Sequence, residues 1–310
     1  MFNKTISIGV DIGGTHITCA AVEIGKGRLL AGSLSRATYH HDGDAATILD
    51  RWAFALNSTI DTVDATELAG IGFAIPGPFD YRNGISKMQH KFPQLYGLHI
   101  PSALQPLLTT GSDLPMRFLN DASAFAVGEA WLGEGRGFVK VVVITLGTGF
   151  GSAFIEHGVP VVKREDVPEE GCLWHLPFKD GIADQYFSTG WFVREWEKTT
   201  GETIEGVKKL MNKAGSDEKA RALFTAFGHN LAECLSPWLG RFHAEVLIIG
   251  GNIAHALPLF GPGLREGLQK AGIAARIAPS KLLEQAALLG SARLLDDGFW
   301  TKVSAQLPGI

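Results

Sequence analysis

The chain has 310 residues, 45% hydrophobic and 19% charged, which is enough apolar content for one large domain or two ordinary ones. Its formal net charge of -4, from 28 basic and 32 acidic residues, leaves no electrostatic footprint for DNA or RNA. No uninterrupted apolar stretch is long enough to span a bilayer. Met1–Lys4 leads into the first apolar run without a signal peptide, and Cys19, Cys172 and Cys234 are too few and too scattered for a disulfide scaffold. A reducing, cytoplasmic setting is therefore expected.

Ile6–Val10 is a short apolar run that enters Asp11-Ile12-Gly13-Gly14-Thr15, and Ile17–Val22 resumes the apolar pattern. That pattern predicts strand, tight turn, strand. Ala45–Ile60 has helical spacing, with Ile48, Leu49, Trp52, Leu56 and Ile60 apolar. Leu68–Ile75 predicts a buried strand that ends at Pro76-Gly77-Pro78. Met116–Leu119 predicts another, followed by Asn120-Asp121 and a helix over Ala122–Leu132.

The opening pattern then recurs. Val141–Leu146 runs into Gly147-Thr148-Gly149-Phe150-Gly151, with a further apolar stretch over Ser152–Ile155. Thr189–Thr200 and Asp217–Leu239 predict helices. Glu245–Ile249 predicts a strand ending in Gly250-Gly251-Asn252, and Leu257–Ala271 and Leu282–Leu295 are helical in spacing. Alternating strands and helices argue an α/β architecture. Two strand–glycine turn–strand units suggest a duplicated domain with a cleft between the copies. Glycine lets a backbone approach phosphate oxygens, while exposed N–H groups and a threonine hydroxyl donate hydrogen bonds. A single such turn more often makes only a turn.

These segments, taken together and in order, resemble the ROK family of sugar kinases and sugar-responsive repressors, within the actin/hexokinase-like superfamily. The resemblance rests on Asp11–Thr15, Gly72–Pro78, Asn120-Asp121 with Glu129-Ala130, Leu146–Gly151, Ile248–Asn252 and Ala286–Ala292, and it covers nearly the whole chain. It implies two ribonuclease H-like domains that close on their ligands across the cleft. The smaller is expected over residues 1–119 with a C-terminal helix over 291–310, and the larger over 120–290. The implied activity is ATP-dependent phosphorylation of a hydroxyl of a hexose or hexose derivative.

The resemblance also implies roles for particular residues. Asp121 is the expected general base, and Asn120, Asp121 and Gly77 are expected to contact the sugar. From local pattern alone, Asn120 or Asp121 caps the following helix, and capping and catalysis are compatible. Asp11, otherwise a turn residue, is expected to face the Mg²⁺ of ATP, through water. Gly13, Gly14, Thr15, Thr148, Gly149, Gly250 and Gly251 are expected to line the nucleotide, although Gly250 and Gly251 also read as a plain strand end.

The sugar-facing places depart from the family pattern. Its Gly-Glu-x-Gly-His segment stands here as Gly171-Cys172-Leu173-Trp174-His175, so His175 is kept while Cys172 replaces the glutamate and Trp174 the second glycine. Glu170 is a nearby candidate for the missing acid. Many members next carry a cysteine run that binds a structural zinc. Residues Pro177–Ser188 contain no cysteine, so no structural zinc is expected, and Leu173, Trp174 and Phe178 are expected to hold the loop by apolar packing. Asp184 stands at the place of a sugar-contacting glutamate, and otherwise reads as a helix-start acid. In the loop after Pro78, His90 or Lys91 takes the place of an asparagine. These departures argue against glucose as the preferred sugar.

The repressors of the family place a helix-turn-helix segment ahead of the first glycine turn. Ten residues precede Asp11 here, so a kinase is expected rather than a repressor. The alternatives are a catalytically degenerate sugar-binding sensor, and another ATPase of the superfamily acting on an acid or a protein. The expected partner is a small-molecule sugar, with no nucleic acid and no membrane, and a homodimer is left open.

Overall fold

The computed structural model describes residues 4–89, 91–110 and 113–307. Two compact units emerge. Unit 1 takes in the described residues of Met1–Gly133, Gly158–Pro160 and Glu284–Ile310; unit 2 takes in Glu134–His157 and Val161–Leu283.

In unit 1 the strands Ile6–Ile12 and His16–Glu23 form an antiparallel hairpin, with Val10 opposite Cys19 and Asp11 opposite Thr18. Asp11 thus lies in the strand, and the turn proper is Gly13–Thr15. Ile6–Ile12 pairs in parallel with Leu68–Ile75, which in turn pairs in parallel with Met116–Asn120. Ile8, Val10, Ile71 and Phe73 are fully buried, as expected for strands covered on both faces. Helix Ala45–Ile60 starts with Asp44 accepting the Thr47 amide and buries Ile48, Trp52 and Leu56.

Helix Asp121–Leu132, expected to open the second domain, lies in unit 1. The reason is its packing along helix Gln285–Arg293, where both surfaces lack bulk. A Cβ on Gly128 would stand 2.0 Å from the Ala286 carbonyl oxygen, and one on Gly290 1.8 Å from that of Ala124. The same helix lies on the sheet through Gly9 and Gly72, where a Cβ would meet the carbonyl oxygens of Leu288 and Ser291 at 1.9 Å. Ser291 Oγ also accepts the Val10 amide at 3.1 Å. The Ala286–Ala292 motif is therefore a close-approach surface. The C-terminal segment forms two helices, Gln285–Arg293 and Asp297–Gln306, and Asp296 caps the second by accepting the Phe299 amide.

Unit 2 repeats the scheme. Lys140–Leu146 and Phe150–Glu156 form an antiparallel hairpin. Lys140–Leu146 pairs in parallel with Val246–Gly250, which pairs in parallel with Arg276–Pro279. Helices Thr189–Thr200, Val207–Ala214, Glu218–Phe242 and Leu257–Lys270 belong to this unit. Phe187, Phe192, Phe224, Phe227 and Phe260 form the centre of its apolar core. Among the described residues no helix is long and apolar enough to cross a membrane.

Candidate functional site

Unit 1 places its candidate residues at the carboxyl ends of three neighbouring strands. Asp11 is next to the end of the first, Gly77 lies just past the second, and Asn120 ends the third, with Ala74 paired to Asp11 and Ile75 to Asn120. The carboxyl edge of a parallel sheet is the usual ligand-binding edge in α/β proteins. Gly13, Gly14 and Thr15 follow directly, and Gly14 and Thr15 are exposed. Nothing lies within 4 Å of where a Cβ on Gly14 would stand. The turn is braced from below. The Gly13 amide donates to the His16 carbonyl at 2.9 Å, and the Tyr39 hydroxyl donates to the Gly13 carbonyl at 2.6 Å. Tyr39 packs in turn on Trp52 and Phe92.

Asp11 is the most perturbed acid on this edge. Burial, then the negative charges of Asp121 and Glu284, raise its carboxyl to about 7, against the opposing pull of Arg36. Such an acid holds its proton near neutrality unless a positive charge relieves the field. Glu284 and Arg36 were not singled out in the sequence reading. Burial, followed by the charge of Arg36, lowers the His16 imidazole below its ordinary range, with Glu284 acting in the opposite sense.

Asn120 is the helix cap. Its Oδ1 accepts the Ser123 amide at 3.2 Å, and its Nδ2 donates to the Tyr81 hydroxyl at 3.4 Å. Tyr81, also missed in the sequence reading, donates to the Ile75 carbonyl at 3.3 Å, and a Cβ on Gly77 would stand 3.2 Å from its oxygen. Asp121 is the first helical residue. Its Oδ1 accepts the Ala122 amide at 2.9 Å. Lys91 is exposed, and His90 lies outside the described residues.

In unit 2, Thr148 and Gly149 are exposed at the tip of the second hairpin. Four hydrogen bonds fix this turn. Asp184 Oδ1 accepts the Phe150 amide at 2.7 Å. The Thr189 amide and hydroxyl both donate to the Gly147 carbonyl, at 2.8 and 3.0 Å. The Gly147 amide donates to the Gly149 carbonyl at 3.1 Å. Gly250 is a buried strand residue paired with Thr145. Gly251 has φ +80°, and a Cβ there would stand 2.3 Å from the Leu146 carbonyl oxygen. Close packing against the second hairpin accounts for glycine at this position and places Gly250-Gly251 beside the Thr148 turn.

His175 is partly buried, its ring edge-on to Trp174 with centroids 5.3 Å apart. The loop before it is anchored through Ser152 Oγ, which accepts the Leu173 amide and donates to the Gly171 carbonyl, both at 2.8 Å. The Asp184 amide donates to the Trp174 carbonyl at 2.9 Å, so His175, Asp184 and the second glycine turn belong to one connected framework. Leu173 and Phe178 are buried, as expected for packing residues, but Trp174 is exposed. Phe178 sits against Tyr186 and Phe187. Lys179 donates to Asn230 Oδ1 at 2.6 Å, and the Tyr186 hydroxyl donates to Asp180. Cys172 donates to the Glu170 carbonyl at 3.6 Å. Among the described residues no group of three or more His, Cys, Asp or Glu is arranged to hold a metal ion.

The sequence profile of the ROK family matches residues 7–297. A glucokinase of Thermotoga maritima is 29% identical over 94% of this chain and 97% of its own length. An N-acetyl-D-glucosamine kinase of Pectobacterium carotovorum subsp. carotovorum is 26% identical over 80% of this chain and 84% of its own. A solved ROK family glucokinase from Streptomyces griseus, in complex with glucose and AMPPNP, aligns with a TM-score of 0.74 at 24% identity, covering 93% of this chain and 98% of that one. The ROK hexokinase from Thermus thermophilus aligns with the same TM-score, 0.74, at 23% identity, covering 93% and 97%.

Proposed function

The chain belongs to the ROK family, and from that premise we propose that it is an ATP-dependent sugar kinase that phosphorylates a hydroxyl of a hexose or hexose derivative. The observation that carries this reading is the placement of Asp11 and Asp121 on one sheet edge, with the charge of Asp121 helping to hold the Asp11 carboxyl near 7. An acid so crowded by negative charge suits a hydrated divalent cation, here Mg²⁺ accompanying ATP. When bound, the cation neutralises charge on the phosphates.

Asp121 accepts the proton of the sugar hydroxyl as it attacks. Asn120, with Oδ1 committed to the helix cap, has Nδ2 left to orient a hydroxyl together with Tyr81. Gly14 and Thr15 offer backbone amides and a hydroxyl to phosphate oxygens on a turn that Gly13 closes through its bond to His16, and Thr148 and Gly149 offer the same groups on the second glycine turn. Gly250 and Gly251 flank the nucleotide, and Asp11 orients the hydrated cation. Gly77, His175 and Asp184 take part in holding the sugar. The relatives named a glucokinase and an N-acetyl-D-glucosamine kinase support sugar as the acceptor. The cytoplasm is the proposed setting.

A coupled ATP-consumption assay over hexoses and amino sugars tests this. Turnover with at least one sugar, dependent on Mg²⁺, is expected. Binding of a sugar without turnover of any would replace the kinase with a non-catalytic sensor.

A further inference from the structure

The backbone of Trp174 is fixed while its side chain is left in water. Its carbonyl accepts the Asp184 amide, and its neighbour Leu173 is fully buried and anchored on Ser152. Yet the residue is 48% exposed, and Trp174 is the one tryptophan among the described residues in the exposed class. The backbone at this position has no positive φ, so no turn geometry dictates the residue type. The indole stands edge-on to His175, with Cys172 on the other side of Leu173. The loop thus sets an indole against the imidazole, while the Cys172 thiol is turned to the Glu170 carbonyl, and neither position carries an acid.

An aromatic face held rigidly beside a polar group is a common way to line a small-molecule site. The apolar body supplies contact area and the polar group fixes orientation. An indole is a poor acceptor for a free hydroxyl but a good neighbour for a C–H-rich or aromatic substituent. We propose that Trp174 is a specificity-determining residue of the sugar site, stacking its indole on an apolar substituent of the hexose. The favoured substrate is then a substituted hexose rather than the plain sugar. This inference rests on the kinase reading above.

The test compares glucose, N-acetylglucosamine and phenyl β-glucoside as acceptors for the parent protein and for Trp174→Gly and Trp174→Phe. The parent is expected to show a higher kcat/KM for at least one substituted sugar than for glucose. Trp174→Gly is expected to lower that preference by at least about threefold, the scale of one aromatic contact. The loss should appear in the sugar KM, with kcat and the KM for ATP nearly unchanged. Trp174→Phe should retain most of the preference. Sugar-induced quenching of tryptophan fluorescence should be present in the parent and reduced in Trp174→Phe.

An unchanged preference in Trp174→Gly, in protein that turns over and melts like the parent, overturns the inference and leaves the kinase reading intact. So does an equal rise in the KM for ATP, which would make Trp174 a support for Asp184 instead. A parent that neither binds nor phosphorylates any sugar overturns the kinase reading, and this inference with it.

Discussion

Asp184 Oδ1 accepts the amide hydrogen of Phe150 at 2.7 Å, so a carboxylate from the short helix Ala183–Tyr186 fixes the backbone of the second glycine turn. A Cβ on Gly149 would stand 3.1 Å from the same oxygen. Asp184 therefore has a positioning role that a helix-start acid would not have. A hydrogen bond to a charged group contributes about 1.5–3 kcal/mol. Asp184→Ala is expected to lower kcat/KM by about tenfold or more and to raise the KM for ATP as well as that for sugar. Asp184→Asn keeps an acceptor oxygen and should be milder for ATP. Steady-state kinetics with each substrate varied checks this, and equal KM values for ATP in the two variants would contradict it.

The raised Asp11 carboxyl makes stability pH-dependent. Unfolded, the group has an ordinary value of 3.8; folded, it titrates at about 7. Between these values the folded state holds a proton that the unfolded state has released, so stability falls as pH rises through that window and levels off above it. The linkage is worth at most about 4 kcal/mol. Asp11→Asn should therefore melt increasingly above the parent as pH is raised from 5 to 8, in buffer with chelator. Parallel melting curves across that range would contradict it. The same variant should lose Mg²⁺-dependent turnover.

Protein purified without added metal is expected to contain no stoichiometric zinc. Residues Pro177–Ser188 hold no cysteine, and the hairpin of Pro177–Phe178 with Gly181–Ile182 is tied by Phe178, Lys179 and the Tyr186–Asp180 pair. Elemental analysis decides the matter. One zinc per chain would mean that this loop is organised around a metal after all.

Gly290→Ala should destabilise unit 1. The new Cβ would stand 1.8 Å from the Ala124 carbonyl oxygen and 2.8 Å from the Gly128 nitrogen, so the two helices must part. Overpacking of this kind costs about 1–3 kcal/mol and should lower Tm by several degrees. Turnover should fall too, because the displaced helix begins at Asp121. A parental Tm would contradict the close-approach reading of the Ala286–Ala292 motif.

Much of the architecture is legible in the sequence because it is written in local terms. Leu68–Ile75 and Ala45–Ile60 announce themselves by apolar runs and helical spacing, and both glycine turns by flanking strands. Asn120-Asp121 is legible as a cap from pattern and as a site from resemblance. The unread residues act through space. Tyr81 reaches Asn120 from a loop 39 positions earlier, and Glu284 acts on Asp11 from the far end of the chain. No spacing rule joins such pairs. Trp174 departs from expectation for a related reason: an apolar residue in a loop predicts packing, and its neighbour Leu173 takes the buried place instead.

The central claim is that Asp121 is the base of a sugar kinase, and Asp121→Asn tests it most directly. Asparagine can still accept the Ala122 amide, so the helix start and sugar binding should persist. Turnover should fall by about a hundredfold or more, the usual worth of a positioned general base, while calorimetry finds the sugar Kd within a few-fold of the parent. Turnover at the parental rate in Asp121→Asn would contradict the account.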